Sequence, residues 1–429
     1  MTLSAEDLAR LLLALTLLLS AAHASGYLFA RLRQPRVIGE ILGGLLLGPS
    51  LFGALLPDAQ AFVFPASGHV SAVLDALYQL GLLLLMFAAG AELRSSFQPG
   101  ERRTVGAVTI AGMVVPFAVG LGFVALVPTD ALIGPAQSRA AFVLVFSLAI
   151  AVTSIPVISR IMSDLGILDS PFARIVLAVA VIEDVIVYVI LAIAIGLVTP
   201  PTSHAFGLQT VLRLAPGSAV SIGYHVVVTL AFLALAGWLG PSGYRAVRRF
   251  RFNLVRRGSP IGFQLAFMLA ITLLATLLGV VPLFGAFLAG IAVSSSDKNR
   301  AADARETIRT FALAFFIPVY FAIVGLRLNL LNGFSPLFFV LFFGVACSAK
   351  ALSVWVAARL AGETESGARN LAVALNARGG PGIVLASVAL DTAIISPEFY
   401  AVLVLLAITT SLLAGSWLDR VVRSGARLR

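Results

Sequence analysis

The sequence predicts an all-α polytopic membrane protein of about thirteen transmembrane helices in two inverted six-helix repeats. Three observations carry that prediction. The 429-residue chain is 59% hydrophobic and only 12% charged, whereas soluble domains run about 45–50% apolar and about 25% charged. Its apolar runs are long enough, at about 20 residues each, to cross a bilayer. Of its 30 basic residues 28 fall into alternate loops, 24 assigned to one side and four to the other, with Lys350 and Arg378 inside apolar segments, and an asymmetry of this kind orients a membrane protein.

The runs lie at 7–30, 37–56, 71–91, 104–127, 140–163, 172–198, 218–240, 261–279, 281–294, 311–326, 335–361, 368–391 and 397–417. The first follows a start that lacks the cationic stretch of a secretory signal, so it reads as a transmembrane helix. The ninth is short, and Gly279 with Pro282 marks a tight hairpin before it. The charge asymmetry places the N-terminus outside and the C-terminus inside. The net charge of +10 therefore belongs to membrane orientation, and no nucleic-acid partner is expected.

The longest basic loop, GYRAVRRFRFNLVRRG at 243–258, divides the chain. Residues 1–198 form a first repeat of helices 1–6. Residues 199–260 hold a linker helix 7 and this cytoplasmic loop, and residues 261–429 form a second repeat of helices 8–13. One odd helix between two equal halves forces them into opposite orientation, the plan of many secondary transporters. The fifth helix of each half is interrupted: AVTSIPVISR at 151–160 and LNARGGPGIV at 375–384. Pro156 removes a backbone donor, and Gly379, Gly380, Pro381 and Gly382 are poor helix interior. Unwound backbone at membrane depth persists only where protein buries it or a cavity hydrates it. Matched interruptions in two halves point to a transport site.

The sequence offers no phosphate-cradling loop, zinc spacing or catalytic triad, so neither an enzyme nor a cofactor is expected. The single cysteine, Cys347, excludes an internal disulfide and reads as a packed apolar residue. The glycines of GGLLLG at 43–48 read as helix contacts. No soluble domain is expected after Trp417. Glu40, Glu92 and Asp164 read as interfacial acids, the last paired with Arg160, and His23 as a packed polar residue.

Among the acids, only Glu183 and Asp184 lie mid-span, in LAVAVIEDVIVYVILAIAIG at 177–196. A charge at the bilayer centre costs roughly 2.5–3.5 kcal/mol on insertion scales, so it must face a partner or water. Adjacent helical residues point about 100° apart. Glu183 can therefore meet one group while Asp184 faces another. Lys350, mid-helix in SAKALSVWVAA, is the expected partner of Glu183. Asp184 then holds a proton or a monovalent cation in turn. Thr153, Ser154 and unwound carbonyls near Pro156 are the expected oxygen ligands, the kind hard cations prefer. Arg378, in the second break, is expected to offset carboxylate charge or to hold the broken segment. Competition of proton and cation for one carboxylate suffices for exchange if only one side reaches the site at a time.

Several stretches carry a family resemblance. QPRVIGEILGGLLLGPSLFG at 34–53 and LGLLLLMFAAGAEL at 80–93 resemble early helices of the monovalent cation:proton antiporter superfamily. AVTSIPVISRIMSDLGILDS at 151–170 is similar to its unwound helix, and FFIPVYFAIVGLRLNL at 315–330 to a later one. The adjacent acids resemble its two-acid bacterial branch of sodium/proton antiporters and potassium efflux systems. The resemblance implies a thirteen-helix homodimer with crossing broken helices. It also implies a core of helices 4–6 and 11–13 that moves as an elevator. It assigns cation and proton binding to Asp184, the preceding acid to Glu183, and the lysine partner to Lys350. The expected activity is exchange of Na+, or alternatively K+, for protons at the inner cell membrane, in the service of pH homeostasis. The chain departs from the branch in one respect: its first acid is Glu where Asp is usual. A proton-uncoupled cation channel, a pH-sensing membrane protein and a proton-coupled organic solute transporter stay open as other readings.

Overall fold

Serine followed by proline recurs at the head of the apolar runs, at Ser170–Pro171, Ser259–Pro260, Ser335–Pro336 and Ser396–Pro397. In the computed structural model each pair starts a helix. The serine hydroxyl accepts a hydrogen bond from the N–H three residues on, and the proline occupies the first turn. Proline costs nothing there because that N–H has no helical acceptor, and the serine cap is worth about 1 kcal/mol.

The structure describes residues 3–92, 101–153, 155–198, 207–212, 218–250, 253–294, 300–331 and 333–429. Its main helices are α1 (Ala5–Arg31), α2 (Arg36–Leu47), α3 (His69–Glu92), α4 (Arg102–Leu126), α5 (Arg139–Ala151), α6 (Ile155–Asp164), α7 (Pro171–Gly196) and α8 (Ala219–Arg249). They continue with α9 (Pro260–Leu277), α10 (Pro282–Ser294), α11 (Arg300–Phe311), α12 (Ile317–Leu326), α13 (Pro336–Leu360), α14 (Glu365–Ala374), α15 (Gly379–Asp391) and α16 (Pro397–Arg423). The described residues form no strand; Ile133 and Ile395 make one isolated antiparallel bridge. Among the described residues eleven helical stretches are long and apolar enough to cross a membrane, and the apolar helices α5 and α10 are shorter. The protein is therefore an all-helical, multi-pass membrane protein.

Three local expectations shift. α8 continues through Pro241 to Arg249, and Leu254–Gly258 is a further helical turn, so much of the basic loop is helical. Arg248 and Arg249 in the last turn of α8 suit the negative end of its dipole. The first interruption lies at Val152 and Thr153, and Pro156 is the second residue of α6. The second lies at 375–378, while Gly379, Gly380 and Pro381 form the first turn of α15. Glycine and proline are tolerated there because first-turn N–H groups lack helical partners. They open the half-helices instead of forming the gap.

The chain separates into two compact units, each built from several stretches of sequence. One comprises residues 1–22, 52–94 and 201–323. Within it α3 and α10 cross at glycines: a Cβ at Gly90 would collide with the Phe287 backbone, and one at Gly290 with the Phe87 backbone. In a bilayer such small-residue contacts replace the hydrophobic drive between helices.

The other unit comprises residues 23–51, 95–200 and 324–429. It contains α4–α7 and α13–α16, hence both interrupted helices. Its core includes Val108, Ile158, Val176, Val354 and Leu375, all buried. Gly48 packs on Leu326, as the helix-contact reading of the 43–48 glycines requires. Near one end of α5, Phe142, Phe146, Phe342 and Phe399 stack and tilt against one another at 5.0–5.7 Å between centroids.

Candidate ion site

An interrupted helix leaves carbonyls without partners, and the structure accounts for them around the first break. α5 ends at Ala151 and its last helical bond runs to Leu148, so the carbonyls of residues 149–151 have no helical donor. That last bond, from the Val152 N–H to Leu148 O, is 3.0 Å long. Arg378 takes the next two: Nε donates to Ala149 O at 3.3 Å and Nη2 to Ile150 O at 2.9 Å. Lys350 Nζ takes the last, Ala151 O, at 2.7 Å. Two cations thus cap the negative end of the α5 dipole.

Both cations are themselves fully engaged. Arg378 is 1% exposed. Its Nη1 donates to Asn376 O at 3.1 Å and Asn376 Oδ1 at 2.6 Å, and its Nη2 also donates to Ala346 O at 2.7 Å. With Ala149 and Ile150, these acceptors match the five N–H groups of a guanidinium. Lys350 is fully buried. Its Nζ donates to Gly112 O at 2.8 Å and to both Glu183 carboxylate oxygens at 2.8 Å, as well as to Ala151. Three acceptor groups therefore meet the three N–H groups of an ammonium.

The breaks are tied to each other by Thr153. Its hydroxyl donates to Leu375 O at 2.6 Å, from the gap in one broken helix to the end of the other. That bond uses the Thr153 proton and leaves its oxygen lone pairs available to a cation. The Arg378 N–H, opening α15, donates to Thr410 Oγ1 of α16 at 3.3 Å.

Glu183 and Asp184 sit in the middle of α7, which packs against α4 and α5. Both are buried, at 0% and 2% exposure. Their environments differ. Glu183 is locked to Lys350, whereas Asp184 Oδ1 is buried with no hydrogen-bond partner. The helical offset of about 100° between neighbours accounts for this division.

The expected Glu183–Lys350 pair is thus present. Among the described residues Arg378 hydrogen-bonds to carbonyls of the first broken helix, Ala346 O and Asn376, and to no carboxylate, so of its two expected tasks it holds the broken segment. Thr153 lies at the break as expected. Ser154, and the side chains of Pro156, Glu92, Arg160 and Asp164, lie outside the described residues. Sequence reading missed the carbonyls of Gly112 and Ala151 and the Asn376 amide. It also missed two buried acids: Glu363, which accepts from Thr104 at 2.8 Å and from Arg429 at 2.8 Å, and Glu101, which accepts from Arg174 at 2.8 Å. Both acids lie beside loops, where charge is expected, so hydropathy gives no signal of their burial.

Paired broken helices, joined at their gaps and holding buried charge, define a membrane-embedded carrier fold. The family model described as "Sodium/hydrogen exchanger, transmembrane" matches residues 14–424, and the chain belongs to that family. The chain is 28% identical to the Na(+)/H(+) antiporter NhaS4 of Synechocystis, covering 92% of this chain and 93% of that one. It is 27% identical to Cation/H(+) antiporter 18 of Arabidopsis thaliana, covering 93% and 47%. It is 29% identical to K(+)/H(+) antiporter 1 of Saccharomyces cerevisiae, covering 89% and 43%. The chain thus spans about half the length of the plant and yeast relatives. The solved sodium proton antiporter MjNhaP1 of Methanocaldococcus jannaschii superposes with a TM-score of 0.66 at 15% identity, covering 97% of this chain and 99% of that one. That likeness shows the fold.

Proposed function

We propose that the protein exchanges a monovalent cation for protons, with Asp184 as the carboxylate that holds each in turn. The observation that carries the reading is the contrast among four buried charges. Lys350, Arg378 and Glu183 are saturated with protein partners, and Asp184 Oδ1 has none. A buried polar atom without a partner costs free energy, and a site that admits a cation or a proton removes that cost. Thr153, whose hydroxyl proton is committed to Leu375, supplies an oxygen ligand, and Ser154 a second. The names of the relatives support both Na+ and K+ as cargo. Na+ is the first cation to test.

The charges favour competition. Two cations balance two carboxylates when Asp184 is ionised, and the carbonyl ends of α5 and α14 add partial negative charge at the breaks. One more positive charge is tolerated there; two on one carboxylate are not. Proton and cation therefore exclude each other, and by linkage each weakens the other's binding by the same factor. Glu183 is held by Lys350 and takes part when that pair opens.

Alternating access follows if the unit holding both broken helices moves as one body. We assign the core to helices 4–6 and 11–13 of a thirteen-helix, inverted-repeat plan with the N-terminus outside. The elevator movement occurs within a homodimer in the cell membrane. The composition of the second compact unit supports that assignment, because α4–α7 and α13–α16 fall together in it. The test is reconstitution: impose a Na+, then a K+ gradient on proteoliposomes and read internal pH. Exchange gives cation-dependent proton flux in wild type and none in Asp184→Asn. Current without proton movement would instead identify a channel.

A further inference from the structure

α4 runs unbroken from Arg102 to Leu126 although Pro116 lies inside it. Proline has no N–H, so the carbonyl four residues earlier loses its helical donor. That carbonyl belongs to Gly112, and it is the oxygen that accepts from Lys350 at 2.8 Å. The same residue also lacks a side chain where the ion pair sits. A Cβ on Gly112 would lie 3.1 Å from Glu183 Oε1, 3.1 Å from Val354 Cγ2 and 3.6 Å from Lys350 Nζ. One five-residue stretch, GMVVP at 112–116, therefore gives the ammonium an acceptor and the carboxylate its room.

We propose that Gly112 and Pro116 are positioning residues for the Glu183–Lys350 pair, and that the bare Cα of Gly112 is what admits a glutamate at position 183. The proposal deepens the exchange reading and rests on it for its transport consequences. When Glu183 leaves, Lys350 keeps two backbone oxygens, Gly112 O and Ala151 O, on two different helices. The lysine stays held, and the carboxylate is the partner free to move. Were Pro116 a residue with an N–H, that N–H would compete for Gly112 O and the lysine would rely more heavily on Glu183. The pair would then open less readily. Glu183 reaches Lys350 with both oxygens from a side chain one methylene longer than aspartate. It does so by entering the space that a Cβ on residue 112 would crowd.

The test uses the full chain, with Na+-driven proton flux in proteoliposomes and thermal stability in detergent. Gly112→Ala is expected to lower flux about tenfold, the scale of one weakened charge-assisted hydrogen bond. Glu183→Asp in the Gly112→Ala background is expected to restore flux to within about twofold of Glu183→Asp alone. Val354→Ala in the same background removes the other close contact and is expected to restore nothing. Rescue by Val354→Ala and not by Glu183→Asp would overturn the proposal, since the glycine would then serve helix packing alone. Pro116→Ala is expected to lower flux while thermal stability holds or rises, because alanine is the better helix former. Unchanged flux in Pro116→Ala would contradict the freed-carbonyl role. Should wild type show no cation-dependent flux, the exchange reading fails by itself. The stability coupling between positions 112 and 183 still decides the placement: a coupling removed by Glu183→Asp supports it, and additivity overturns it.

Discussion

Asp184 and Glu183 are neighbours in sequence and opposites in circumstance. Glu183 shares both oxygens with Lys350 at 2.8 Å, and Asp184 Oδ1 has no hydrogen bond. Substitutions at the three positions should therefore diverge. Lys350→Gln leaves a buried carboxylate without its counter-charge, and breaking a buried pair from one side costs about 3–5 kcal/mol. The melting temperature in detergent should fall sharply. Glu183→Gln added to Lys350→Gln should recover much of the loss, because neither charge is then orphaned. Recovery that fails would show that Lys350 acts through Gly112 and Ala151 alone. A changed ratio of protons to cations in Lys350→Gln would show that the pair participates in exchange; an unchanged ratio would make it purely structural. Asp184→Asn replaces an acid whose Oδ1 has no hydrogen-bond partner by a neutral isostere, so stability should hold while flux disappears. At this scale the sequence is informative, since a lone lysine and two acids stand out in apolar segments. The backbone oxygens that complete the lysine's shell carry no such mark. Pro116 was the one available sign, because a proline four residues downstream of a glycine announces a freed carbonyl.

The helices show why breaks can survive at membrane depth. The carbonyls at the end of α5 each find a donor, two of them from Arg378. Arg378→Gln would leave several buried oxygens unsatisfied, at roughly 1–3 kcal/mol each. The variant should melt well below wild type, and Arg378→Lys should not restore it, because an ammonium cannot reproduce the five-donor fork. Restoration by lysine would mean that only charge matters at that position. Thr153→Val removes the bond to Leu375 O and a candidate cation ligand at once. It should lower stability by about 1 kcal/mol and raise the cation concentration for half-maximal flux. A stability loss with unchanged cation dependence would remove Thr153 from the ligand set. The existence of both breaks was legible in Pro156 and in the glycines after Arg378. Their placement was not, since proline and glycine are tolerated in a first helical turn. The chain unwinds just before them, at Val152–Thr153 and at 375–378. The length of α8 was missed for a related reason: arginines read as loop also stabilise a helix C-terminus.

At the scale of the molecule, hydropathy and loop charge disclosed a multi-pass helical protein. They did not disclose that each compact unit is assembled from three separated stretches, because a repeat written along the chain and a unit formed in space need not coincide. The unit that gathers α4–α7 and α13–α16 holds both breaks together with Glu183, Asp184, Lys350 and Arg378, and under the proposed exchange it is the body assigned to move. The central claim is that a proton and a cation compete for Asp184 within it. Its most direct measurement is Na+-driven proton flux in proteoliposomes at several pH values, for wild type and Asp184→Asn, with the half-saturating Na+ concentration read at each pH. Competition at a single carboxylate predicts that this concentration rises by up to about tenfold for each pH unit of acidification once the proton dominates the site, and that Asp184→Asn shows no coupled flux. A half-saturating concentration that stays constant with pH, or full flux in Asp184→Asn, would contradict it.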